Sequence, residues 1–200
     1  LFGTVGDQAH YDWRGKTDPQ ILRDLLRGAG VPAAVIEARL GECFAAYARH
    51  LAELIGSGHP VDVYPGIREL LGALSAREDA LVGLLTGNVE AGARLKLSPT
   101  GLLPFFRVGA YGSDDSDRRR LPAIARARAQ ALVGQAISPS RVVIIGDTPL
   151  DIDCARAAGA AAVAVATGQH TLEELAAHSP DLLLADFADV AGSLRALLAR

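Results

Sequence analysis

The segment Arg141-Val-Val-Ile-Ile-Gly-Asp-Thr-Pro-Leu-Asp-Ile152 constrains this chain most, because an apolar strand runs straight into two carboxylates, Asp147 and Asp151. Four consecutive β-branched residues, Val142 to Ile145, fit a parallel strand covered by helices on both faces. Ligands of open α/β sheets sit outside the carboxyl ends of such strands. Gly146 lets the backbone turn, Asp147 projects over the sheet edge and Asp151 opens the next helix. Alone, the pair also reads as a helix N-cap and a solvated first-turn acid, since these residues favour helix starts. A second strand end of matching polar character turns the reading toward chemistry. Ala80-Leu-Val-Gly-Leu-Leu-Thr86 is an apolar run of buried-strand length, closed by Thr86, Gly87 and Asn88.

Helical and strand patterns alternate around these two segments. A helix from Tyr64-Pro65-Gly66 to about Arg77 precedes the first, and a helix over Val89 to Leu97 follows it. A strand at Arg107 to Ala110 and a helix from Pro122 to Leu132 lead to the Val142 strand. Beyond it come a helix from Asp151 to Ala158, a strand from Ala161 to Ala166, a helix after Thr171, a strand at Leu182 to Leu184 and a closing helix to Ala199. Such alternation implies βαβ units and a parallel sheet.

The first third reads as helical only. Thr17-Asp-Pro-Gln20 predicts a capping box, with Ile21, Leu22, Leu25 and Leu26 on one face and Gly28 and Gly30 as the stop. A longer stripe carries Ile36, Leu40, Phe44, Tyr47, Leu51 and Leu54 at steps of three and four. Gly56-Ser-Gly-His-Pro60 is the boundary signal, which divides the chain into a helical cap over residues 1–60 and an α/β core over residues 61–200.

Two hundred residues, half of them hydrophobic, suffice for one such core and a small added module. A net charge of −3 argues against a nucleic-acid partner, and no apolar run approaches bilayer length, which argues against a membrane partner. Cys43 and Cys154 lie far apart and no secretory signal is present, so a cytoplasmic location with free thiols is expected. His10, His50, His59, His170 and His178 show no ligand spacing and are expected on the surface. Neither a Walker-type loop nor a dinucleotide fingerprint occurs.

Taken together, the two polar strand ends resemble the haloacid dehalogenase-like superfamily of phosphatases and phosphotransferases, over nearly the whole chain. Leu84-Leu-Thr-Gly-Asn88 is similar to the second motif of that family, and Gly146 to Asp151 to its fourth, Gly-Asp-x-x-x-Asp. The helical segment before Tyr64 resembles the small cap that many members carry. The resemblance implies a Rossmann-like three-layer α/β fold with a parallel sheet and a helical cap. It implies Mg²⁺ as cofactor, with Asp147 a direct ligand and Asp151 a ligand through water or an acceptor that orients its neighbours. Thr86 would donate its hydroxyl to a phosphoryl oxygen, assisted by the backbone N–H groups of Gly87 and Asn88.

The third motif departs from the usual pattern. The only lysine between Thr86 and Asp147 is Lys96, which reads as an exposed helix residue, whereas Arg118, Arg119 and Arg120 precede the Val142 strand. Arg118 is the candidate cation for phosphate and nucleophile, with Arg119 and Arg120 as alternatives. The first motif, an Asp-x-Asp that supplies nucleophile and general acid, is absent, since neither Asp7 nor Asp12 follows an apolar strand. The chain has no methionine and opens Leu1-Phe2-Gly3, so a strand and part of the cap, on the order of twenty residues, are expected upstream of Leu1.

The function implied is a Mg²⁺-dependent phosphatase, monomeric or homodimeric, that hydrolyses a small phosphorylated metabolite through an aspartyl-phosphate. Phosphoglycolate-type phosphatases are the nearest resemblance, with Arg14 or Lys16 of the turn Asp12-Trp-Arg-Gly-Lys-Thr17 placed to meet an anionic substrate. The alternatives are a phosphomutase or a metal-free dehalogenase of the same fold, or a binding domain that lacks the nucleophile.

Overall fold

Thr17 caps the first helix, α1 (Asp18–Gly28), by accepting from the Gln20 N–H at 3.3 Å, in a computed structural model that describes residues 1–200. Gln20 does not return the bond, so the predicted capping box is half formed. Thr17 is completely buried, and its hydroxyl also donates to the Ser116 carbonyl at 2.8 Å. After α1 come α2 (Ala33–Gly56), α3 (Ile67–Ser75), β1 (Gly83–Thr86), α4 (Glu90–Leu97), β2 (Val108–Tyr111) and α5 (Leu121–Val133). The chain continues through β3 (Val143–Gly146), α6 (Pro149–Ala157), β4 (Ala161–Val165), α7 (Leu172–Ala176), β5 (Leu182–Leu184) and α8 (Val190–Leu198).

Helices α1 and α2 pack on each other, and α2 continues onto α4. Gly92 of α4 leaves space there for the Tyr47 ring, which any Cβ would strike at 2.7 Å. None of the helices is long and apolar enough to cross a membrane.

Every strand pairing is parallel, as expected of βαβ units. β1 pairs with β2 in the register Thr86 to Tyr111, and β4 lies between β3 and β5, with Gly146 opposite Ala164. The two ladders are not hydrogen-bonded to each other, so the single sheet read from the sequence is two ladders. Their contact is apolar: Leu85 of β1 packs against the cluster around Ile144.

Helices cover both faces, which completes a three-layer α/β/α core. Ile144, Ala162 and Ala164 face Ile152 and Ala155 of α6 and Leu175 of α7. Val163 and Val165 face Leu70 of α3, Leu197 of α8 and Phe187. Alternation along β4 sends successive side chains to opposite layers, and burying Ile152 or Leu175 stabilises the fold by roughly 2 kcal/mol each. One expectation fails: Ile145 is 40 % exposed although its β-branched run reads as covered on both sides. Val143, two residues earlier on the same face, is reached by the α3 and α8 layer, but that layer stops short of Ile145.

Candidate active site at the strand ends

Thr86 stands at the carboxyl end of β1, and the loop after it is held from three sides. Gly87 lies so close to the Lys16 carbonyl and the Thr17 Cα that no Cβ fits there. Its own carbonyl accepts from the Asp18 N–H at 2.7 Å, and the Asn88 carbonyl accepts from the Gly112 N–H at 2.8 Å. The Thr86 hydroxyl oxygen accepts from the Asn88 backbone N–H at 3.2 Å and from its side-chain amide at 3.3 Å. Lys96 donates to the other end of that amide, Oδ1, at 2.6 Å. Lys96 is therefore half-buried beside the loop and not an exposed helix residue, because α4 turns this side chain back toward its own N-terminus.

At the end of β3, Thr148 rather than an aspartate is the N-cap of α6. Its hydroxyl accepts from the Asp151 N–H at 3.3 Å while the Asp151 carboxylate accepts from the Thr148 N–H at 3.1 Å, a full capping box. Asp151 is thus the first-turn acid that the pattern admits, but it is 5 % exposed and not solvated. The burial is matched by Arg118, whose guanidinium pairs with the second carboxylate oxygen and also donates to the Gly15 carbonyl at 3.1 Å. Nε of Arg118 is buried without a partner. Arg119 and Arg120 pair with Asp117 and Asp115 on the surface, at 2.8 and 3.3 Å. Of the three arginines, only Arg118 points inward to the strand ends.

Asp147 is the carboxylate left uncommitted. Burial pushes its pKa up, the neighbouring Asp151 charge adds to that, and Arg118 and His170 oppose it. Gly168, in the loop after β4, is required beside it, since a Cβ would overlap the Asp147 carboxylate. His170 lines the same site with a side chain only 14 % exposed, close to Glu174 at 3.7 Å, which corrects its expected surface position. The β4 ladder carries that loop to the strand ends, a placement that no histidine spacing encodes.

Thr86, Gly87, Asn88, Arg118, Asp147 and Asp151 all border one cavity of about 390 Å³, whose only hydrophobic wall residues are Trp13 and Ile21. The segment before α1 covers it. Arg14 there pairs with Asp12 at 2.8 Å, while Lys16 sits 4.0 Å over the Tyr11 ring and 3.7 Å from Asp24. Asp18 was not legible as a site residue, because a first-turn acid is accounted for by the helix dipole. It lines the cavity, accepts from the Val89 N–H at 2.8 Å, and has its pKa raised by burial against the pull of that N–H and of Lys96.

No three His, Cys, Asp or Glu side chains cluster as metal ligands. With Asp151 committed to Arg118 and Thr148, Asp147 is the strand-end carboxylate free to hold a cation directly. That fits Mg²⁺, which keeps several waters and is bound through one or two carboxylates plus substrate phosphate. A cation would also relieve the half-buried charge that raises the Asp147 pKa.

Parallel strands that end in a polar threonine loop and in Gly-Asp-x-x-x-Asp, with helices on both faces, give the chain a haloacid dehalogenase-like α/β fold. A family model described as HAD-hydrolase-like matches residues 120–190. The fold is that of a hydrolase from Pseudomonas syringae, which superposes with a TM-score of 0.66 over 92 % of this chain and 80 % of that one, at 22 % identity. The sequence is similar to phosphoglycolate phosphatases. It is 28 % identical to that of Synechococcus elongatus over 82 % of this chain and 67 % of the relative. It is 33 % identical to that of Rhodospirillum rubrum over 64 % of this chain and 51 % of the relative. The chain spans about half to two thirds of the length of these relatives.

Proposed function

We propose that this chain forms most of a Mg²⁺-dependent phosphatase for a small phosphorylated metabolite, which works through an aspartyl-phosphate. The observation that carries this reading is the convergence of Thr86, Arg118 and Asp147 on one polar cavity at the carboxyl ends of parallel strands. The unpaired facing edges of β1 and β3 support the corollary that the nucleophile arrives on a further strand between them. Helices α1 and α2, with the Trp13 to Asp18 segment that closes the cavity, act as the cap.

In this scheme a carboxylate oxygen on the added strand attacks phosphorus, and the ester oxygen leaves with a proton from a second aspartic acid on that strand. Water then attacks phosphorus, the bond to the aspartyl oxygen breaks, and inorganic phosphate is released. The Thr86 hydroxyl and the Gly87 and Asn88 loop receive the phosphoryl oxygens. Arg118, locked by Asp151 and the Gly15 carbonyl, holds positive charge beside the transferring group. Asp147 and, through water, Asp151 would hold Mg²⁺, which supplies charge neutralisation of the phosphoryl group when bound. Trp13 and the backbone of Gly15 and Lys16 exclude bulk water.

The test uses the intact protein that carries this chain, assayed on a panel of small phosphomonoesters that includes 2-phosphoglycolate. Chelation and Asp147→Asn should each abolish turnover without unfolding the protein. Chelator-resistant turnover or an active Asp147→Asn variant would sink the proposal, and transfer of phosphate to a sugar in place of water would make it a mutase.

A further inference from the structure

Lys96 lies off the reaction path, yet it decides which way a hydrogen bond in the phosphate loop points. An ammonium can only donate, so the Asn88 atom 2.6 Å from Lys96 Nζ must be the amide oxygen. The opposite end of the amide, 3.3 Å from Thr86 Oγ1, is then the NH₂ group and a donor. With the Asn88 backbone N–H also donating to Oγ1 at 3.2 Å, both acceptor positions of the Thr86 hydroxyl are filled from within the loop. Its proton finds no acceptor in the protein and is left to the cavity that Thr86 lines.

We infer that Lys96 is a positioning residue that, through the Asn88 amide, makes Thr86 an obligatory hydrogen-bond donor toward an anion in the cavity. Without the ammonium, the two ends of the Asn88 amide lose their distinction. The flipped amide presents Oδ1 to Thr86, captures the hydroxyl proton and points a lone pair of Oγ1 at the ligand. The backbone leaves Asn88 little other freedom, since its carbonyl is held by Gly112 and Gly87 is wedged under Lys16 and Thr17. Burial of α4 against α2 keeps Lys96 at this distance.

This inference rests on the phosphate-site reading above, and inorganic phosphate is the probe that separates the two. Calorimetric titration of the intact protein that carries this chain should show phosphate binding that weakens about tenfold in Lys96→Met, the loss expected for one hydrogen bond to a charged acceptor. Lys96→Arg, which keeps a donor in place, should retain the affinity. In a Thr86→Val background Lys96→Met should cause no further loss, because the relay has no hydroxyl left to orient. A loss that persists in that background means direct attraction by the Lys96 charge and overturns the inference, as does unaltered affinity in Lys96→Met alone. If Lys96→Met does not fold, Lys96→Gln, whose amide can donate or accept and so no longer fixes the Asn88 amide, must give a loss of affinity that disappears in the Thr86→Val background for the inference to stand. Wild-type protein that binds no phosphate removes the site itself, and the proposed function falls with the inference.

Discussion

Asp147 shows how one residue records the conflict between stability and chemistry. In the folded chain its pKa is raised, first by burial and then by Asp151, so the native state holds the proton more tightly than the unfolded chain does. Its contribution to stability is present below the ordinary carboxylate range and is lost as the pH rises through the folded-state pKa. Asp147→Asn should therefore raise the melting temperature near pH 7, with a gain that shrinks toward about pH 4. Thermal unfolding followed by circular dichroism measures this, and a variant less stable than wild type at neutral pH contradicts it. Added Mg²⁺ should raise the melting temperature of the wild type and not of the variant, since a ligand of the native state stabilises by mass action. The position of Asp147 was legible from the strand that runs into it. Its neighbour in the cavity, His170, was not, because the two come to one site only through the spatial order of β3 and β4.

At the scale of elements, the start of α6 carries both a helix cap and the anchor of a cation. Thr148→Ala removes the N-cap hydroxyl and should destabilise the chain by about 1 kcal/mol in urea unfolding. Arg118→Ala should cost more, about 3 kcal/mol, because it leaves the buried Asp151 carboxylate with only its Thr148 contacts. A loss in Arg118→Ala no larger than that in Thr148→Ala would mean that the Asp151 carboxylate does not depend on Arg118 for its charge compensation. Periodicity located these elements well, with differences at their ends. The apolar run from Ala80 becomes ladder only at Gly83, because β2 offers partners from Val108 onward and Val82 keeps a single bond, to the Arg107 N–H at 3.1 Å. The Gly146 backbone turn was readable, but the need for glycine there is tertiary: a Cβ would overlap the Asp151 carboxylate.

The whole molecule is two parallel ladders joined by side chains and by the strap from Gly15 to Asp18. Hydrogen bonds run from this strap to the loops after β1 and β2, through the Gly87 and Ser116 carbonyls, and Arg118 links its Gly15 carbonyl to Asp151 after β3. Amide hydrogen exchange should consequently be slowest in β4, which is paired on both sides, and faster in β1 and β3 at the amides that face each other. Uniform protection across β1, β3 and β4 would show that the two ladders open as one unit. The local pattern of residues by itself determined the helices, the parallel strands and the two polar strand ends, because periodicity, caps and strand-end chemistry act over a few neighbours. Only the tertiary structure decided which of three adjacent arginines turns inward, that Lys96 reaches Asn88, and that Asp18 and His170 join the site. Those outcomes depend on contacts between residues far apart in the chain, where burial selects one side chain and leaves its neighbours in water.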